Sequence, residues 1–263
     1  MSRSAVRRAA LCLTVTLTAC ASRPRATAAP ADGHAVLARM HDAYDGHWYR
    51  TLRFVQRTTA VKPDGSRDTS TWYESIKAPD LLRIDLGDPH VGNGVLYTAD
   101  SLIVLRAGQV ARRIGRGNPF LPLIEGVYVQ PQAVTEGQLA PYGFALDRMY
   151  RGTWLNRPVY VVGAADASDT TSPQFWVDAE RLVLVRMLVA FAPSSPLVDA
   201  RVDGYVRLAG PSWLATHNEF WSGGHPEQIE DYSDWRIGED LPDALFDPAQ
   251  WTTAPHWAPP ARR

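Results

Sequence analysis

Two cysteines, at positions 12 and 20, are the chain's only thiols, and the second is placed for acyl transfer. Arg3, Arg7 and Arg8 precede a short apolar run from Ala9 to Leu17. That order of charge, apolar segment and small residues describes an export signal. Cys20 directly follows Leu17-Thr18-Ala19, the arrangement of a bacterial lipobox, where a lipid is attached to sulfur before cleavage. The competing reading is an ordinary signal peptide with a chance cysteine beside its cleavage site. A membrane-spanning helix fits less well, because the run is far short of the ~20 apolar residues that a bilayer requires. Residues 1–19 are therefore expected to be a lipoprotein signal, and Cys20 the lipidated start of an exported, membrane-tethered protein.

The other reactive side chains do not assemble into a catalytic pattern. Of the seven histidines, His34 and His41 are too far apart in sequence for the helical spacing of metal pairs, and His217 and His225 fall in separate elements. There is no HExxH, no cysteine cluster and no Gly-x-Ser-x-Gly. Ser222-Gly223-Gly224-His225 reads as a hairpin turn, whose glycines suit positive backbone angles. The carboxylates Glu227, Glu230, Asp231 and Asp234 alternate with Ile229 and Tyr232 and read mainly as a solvated strand face. No catalytic residue, metal or cofactor is expected. Arg53 and Arg186 stand on mostly apolar strands. Each either contacts a lid or a lipid headgroup, or is a surface arginine whose stem covers apolar neighbours.

Removing residues 1–19, with three arginines and no acid, takes the formal charge from −1 to −4. No basic tract is present, and a nucleic-acid partner is not expected. Without a disulfide, the exported body must rest on its core alone, which a chain of this length can supply.

Residues 20–31 are small, proline-bearing and aperiodic, and read as a flexible tether. Asp32 offers an N-cap, and Val36, Leu37, Met40, Ala43, Tyr44, His47 and Trp48 follow at helical spacing, predicting a helix over roughly 32–47. Short alternating strands follow at about 51–61, 69–77, 81–86, 94–98, 102–106 and 109–114. Prolines at 119, 122, 131 and 141 break 118–142 into short helical turns and loops. Strands resume at about 144–151, 157–164, 173–178 and 182–191 and around Val202 to Leu208, then at 212–221 and 227–237, with a last turn at 241–246. Hairpin-length connections exclude a parallel sheet with crossover helices. Leu182 to Phe191 is apolar on both faces except at Arg186, so it is expected to be covered on both sides. The many tryptophans in or beside strands either fill a solid core or line a pocket for an apolar ligand. Composition alone, at 45% hydrophobic, is ordinary and favours the solid core.

Five segments change that balance. Lys77 to Asp85 (KAPDLLRID) resembles the strand–proline–strand segment of the LolA/LolB bacterial lipoprotein-carrier superfamily. Phe54-Val55-Gln56 resembles its opening strand, and Asn118 to Ile124 a short helix near the cavity mouth. Phe175 to Asp178 with Arg186 is similar to a family hairpin, and Leu241 to Pro248 to the closing segment. The matches keep the family's order over about residues 33–248. The resemblance implies an α+β, mainly antiparallel fold: an unclosed curved β-barrel with an N-terminal helix and short lid helices around an apolar cavity. That domain would span 32–250, with 251–263 a loose tail.

The implied cavity residues are Phe54, Trp72, Leu82, Ile84, Leu96, Leu105, Trp176 and Leu184. The implied lid is Phe120, Leu121, Leu123 and Ile124, with Arg53 and Arg186 as polar contacts. The resemblance implies a non-enzymatic carrier or acceptor for acyl chains of lipoproteins or lipids, in lipoprotein sorting or lipid transfer, together with a carrier or transporter protein as partner. An envelope lipoprotein of the same fold with a sensor or structural role is the alternative. Ala21, rather than Asp, after the modified cysteine implies an anchor in the outer membrane facing the periplasm. The soluble shuttles of this superfamily lack such an anchor.

Overall fold

The computed structural model describes residues 29–254 apart from Pro193 and Ala209. Asp32 caps the first helix by accepting from the Ala35 amide at 2.8 Å. This helix, α1 (Gly33–Tyr44), ends three residues before the predicted boundary. Gly46 turns the chain there with a φ of 72°, which a side chain would resist.

Six strands then form a meander: β1 (Thr51–Val61), β2 (Arg67–Lys77), β3 (Leu81–Leu86), β4 (Gly94–Tyr97), β5 (Leu102–Arg106) and β6 (Gln109–Ile114). The proline-bearing stretch forms α2 (Leu121–Ile124) and α3 (Gln132–Leu139), joined by a single helical turn at Gly126–Tyr128. The second half contributes β7 (Met149–Trp154), β8 (Arg157–Val162), β9 (Gln174–Asp178), β10 (Leu184–Val189) and β11 (Val198–Asp203). A small separate pair, β12 (Val206–Arg207) and β13 (Trp213–Leu214), precedes β14 (His217–Ser222) and β15 (His225–Ile237). The strand predicted from 144 starts at 149. Phe144 instead turns inward and meets Phe175 edge-on, with ring centres 5.4 Å apart.

The main sheet has 13 strands in the order β6-β5-β4-β3-β2-β1-β15-β14-β11-β10-β9-β8-β7, every neighbouring pair antiparallel. Pairing of β1 with β15 closes the longest sequence separation and welds the two meanders into one unclosed, curved barrel. The edge strand β6 carries Arg112 and Arg113, both exposed, and charge on an edge discourages pairing with another chain.

The helices cover the inner face of the second half. Val36, Leu37, Met40 and Tyr44 of α1 pack with Leu123, Val127, Tyr128 and Leu139 against Tyr160, Val162, Phe175, Val177, Leu184 and Met187. Here the inner face is a solid core. Its outer face carries a smaller cluster of Val159, Val161, Ala164 and Val185, with Trp154 and Trp176 against it. In the first half the outer face is covered by the chain's end: Leu96, Ile103 and Leu105 pack under Leu241, Leu245, Phe246, Trp251 and Ala254. The packed body therefore runs past residue 250, and Trp251 belongs to the core rather than to a loose tail.

Arg83 explains why that segment is held. It is 1% exposed, chelates Asp85 through Nε and Nη2 at 2.7 and 2.9 Å, and donates to the Leu245 and Trp251 carbonyls at 3.0 and 2.8 Å. Its guanidinium also lies 3.8 Å from the Trp251 ring centre.

Candidate functional site: an apolar cavity with an acidic wall

The inner face of the first half is not filled. Between it, α2 and the β12–β13 pair lies a cavity of about 680 Å³, a size at which a pocket buries most of a small ligand. Alternation along the strands builds its wall. Leu52, Phe54 and Gln56 come from β1, Trp72, Glu74 and Ile76 from β2, Leu82, Ile84 and Leu86 from β3, and Val95 and Tyr97 from β4. Val202, Asn218, Phe220, Gln228, Glu230 and Tyr232 continue it across β11, β14 and β15, and Trp48, Tyr49, Glu125 and Tyr128 close the deep end. The mouth lies where Phe191 and Glu227 line the cavity and remain exposed. Phe120 there stands between Phe191 and Phe220, with ring centres 6.0 and 5.7 Å away.

Of the residues expected in the cavity, Phe54, Trp72, Leu82 and Ile84 line it together with Phe120 and Ile124 of the expected lid. The others lie elsewhere. Leu96 and Leu105 are on the outer face under Trp251, because Leu96 sits between the inward Val95 and Tyr97. Trp176 is likewise out of step with the inward Phe175 and Val177. Leu184 points inward but into the solid core under α1. Leu121 and Leu123 of α2 are buried as anchors, packed against the first-half cluster and the helical core respectively.

Neither arginine reaches the cavity. Arg53 pairs with Glu239 beyond the end of β15. Arg186 chelates Asp199 at 2.6 and 3.0 Å and lies over both Trp154 and Trp176, 4.7 and 4.5 Å from their centres. A bulge between Leu184 and Arg186 places Val185 and Arg186 opposite one stretch of β9, which gives Arg186 this outer position. Cys20 lies outside the described residues.

The polar side of the wall is acidic. Glu125 follows α2 and accepts from Trp48 Nε1 at 2.9 Å and Tyr49 Oη at 2.7 Å. Burial outweighs both bonds and pushes its carboxyl up to about 8. Glu230 accepts from Tyr232 Oη at 2.7 Å and Gln228 Nε2 at 2.6 Å, and burial still holds its pKa raised. Glu74 is held well above the carboxylate range by burial and then by the charge of Glu230. Burial, with Glu74 second, pushes the Tyr97 phenol up to about 12.

Glu230 was expected on a solvated strand face, yet it is buried, because Gln228, Glu230 and Tyr232 share the inward step of β15. Glu74 was not singled out in the sequence, although it stands midway between Trp72 and Ile76, at i+2 and i−2 on one strand face, a spacing that places it inward with them. No local pattern marks Glu125. Among the described residues, no group of His, Cys, Asp and Glu is arranged to hold a metal, and no helix is long and apolar enough to cross a membrane.

No protein-family model matches the chain, and no curated protein matches it. Solved structures do. A LolA superfamily protein from Nitrosomonas europaea superposes with a TM-score of 0.52 at 15% identity, covering 82% of this chain and 97% of its own. The fold is LolA-like. A Vibrio parahaemolyticus domain described as outer membrane lipoprotein-sorting shares it with a TM-score of 0.56 at 12% identity, covering 82% and 97% of the two chains. A DUF1329 family protein from Desulfovibrio piger does so with a TM-score of 0.57 at 16% identity, covering 82% and 95%. In this LolA-like chain the unclosed barrel and its helical cover are the scaffold that leaves the cavity between them.

Proposed function

We propose that this chain is an envelope lipoprotein that binds acyl chains of lipoproteins or lipids in its cavity, as a tethered carrier or acceptor in lipoprotein sorting or lipid transfer. The observation that carries the reading is the cavity itself: about 680 Å³ walled mainly by aliphatic and aromatic side chains, in a LolA-like frame. Each methylene taken from water into such a wall gains about 0.8 kcal/mol. About ten buried methylenes thus supply on the order of 8 kcal/mol, enough to hold a chain and still release it to a better site. Binding of this kind requires no bond to be made or broken. The anchor at Cys20 would hold the domain at the outer membrane, facing the periplasm, and residues 20–31 would give it reach toward a protein that hands over or receives the cargo.

Mass spectrometry of lipid extracted from the purified protein tests this reading. Stoichiometric acyl lipid supports it; a lipid-free protein that takes up no added long-chain lipid overturns it and favours the sensor or structural alternative. Metabolic labelling with a clickable fatty acid tests the anchor: the label must be lost in Cys20→Ala, and persistence would place the acylation elsewhere.

A further inference from the structure

An acyl chain alone does not require the acid in this wall. Among the described residues, four that line the cavity are glutamates, at positions 74, 125, 227 and 230, and none is Lys, Arg or His. Glu125 and Glu230 have hydrogen-bond donors of their own. Glu74 does not. It is 4% exposed, flanked by Phe54 on β1 and Ile84 on β3, and what acts on its carboxyl among the described residues is burial and the charge of Glu230. A largely buried carboxyl that faces a cavity without a protein donor is costly unless what occupies the cavity supplies one.

Glu74 and Glu230 stand on the two strands that flank β1 and turn to the same cavity, and the charge of Glu230 disfavours ionisation of Glu74. A cation between them removes that repulsion. Trp72, Phe54 and Tyr232 line the same wall, the ring centres of the last two 4.5 Å apart, and aromatic rings attract ammonium groups. Glu227 adds an exposed carboxylate at the mouth. An anionic head, phosphate or carboxylate, would meet acid at the rim and inside, with no basic side chain lining the cavity.

We infer that the cavity selects amphiphiles that carry a protonated amine next to their apolar chain, with the ammonium seated at Glu74 and Glu230. This rests on the acyl-binding reading above and adds the chemistry of the head. Burial favours the protonated carboxyls; the charge of an entering ammonium reverses that preference, so the ion pair forms as the amine is seated.

Calorimetric titration of the purified full chain, cleared of lipid, with dodecylamine, dodecanol and dodecanoate below their micellar concentrations tests it at pH 7. The apolar body is constant and only the head changes. Dodecylamine is expected to bind at least tenfold more tightly than dodecanoate, with dodecanol between them. Glu74→Gln and, separately, Glu230→Gln should each cut the preference for the amine over dodecanol severalfold, with an unchanged far-ultraviolet spectrum certifying that each variant is folded. Equal binding of all three probes, tighter dodecanoate, or an amine preference that survives in both variants would overturn the inference while leaving acyl binding intact. Absence of binding by all three would instead remove the acyl-binding reading on which it stands.

Discussion

Glu125→Gln isolates the energetic cost of keeping an acid in the cavity wall. In the folded chain burial moves this carboxyl from the ordinary 4.5 to about 8. The unfolded chain therefore ionises first as pH rises. Between about 4.5 and 8 it holds fewer protons than the folded chain, and stability falls over that window. At about 1.4 kcal/mol for each factor of ten in proton affinity, the displacement amounts to a ceiling of roughly 5 kcal/mol at pH 8. Glutamine removes the titration and keeps the geometry. Its carbonyl oxygen accepts from Trp48 Nε1, and its amide donates to the Tyr49 hydroxyl, which rotates to accept. The variant should therefore match wild type near pH 5 and exceed it by several kcal/mol at pH 8. Urea melts of both proteins at pH 5, 6, 7 and 8 read the difference directly. Glu74, Glu230, His34 and His217 also titrate upward of their usual values, and their contributions cancel in the comparison. A variant that differs from wild type by the same amount at every pH would refute the reasoning.

The remaining predictions separate core, lid and closing segment. Leu184 is 0% exposed beneath α1, so Leu184→Ala should cost about 2–5 kcal/mol in a denaturant melt and leave acyl affinity unchanged; a normal melt with weakened binding would move Leu184 into the cavity wall. Phe120→Glu puts a charge among Phe191 and Phe220 at the mouth and should weaken uptake of a fluorescent fatty acid at least tenfold while the far-ultraviolet spectrum of the sheet persists. Arg83→Met removes the partner of buried Asp85 and the donor to Trp251; it should cost about 3–5 kcal/mol in a thermal melt and expose the end of the body to protease. An unaffected melt would show that Trp251 is not held by Arg83.

The chain's pattern of elements was legible wherever local chemistry dictates local structure. Asp32 caps a helix because its carboxylate reaches the Ala35 amide three residues on. The alternation of Leu82, Ile84 and Leu86 against Arg83 and Asp85 shows two faces, and short turns between strands require antiparallel neighbours. Which face meets what is another matter. Leu82 and Leu96 look alike in sequence, yet one lines the cavity and the other lies under Trp251. The parity of each strand relative to its neighbour is set by pairing across the sheet. The same holds for the arginines: Arg186 owes its outward position to a bulge that no residue type announces, and its contacts to Asp199 and two tryptophans brought from other strands. Whether apolar strands enclose a void or a filled core depended on how far α1 reaches across the sheet, which is a matter of volume rather than of sequence pattern. Glu74, Glu125 and Glu230 became one acidic wall only when β1 paired with β15 and α2 folded over them. Carboxyls far apart along the chain acquire a common electrostatic role only through the distances that tertiary structure sets.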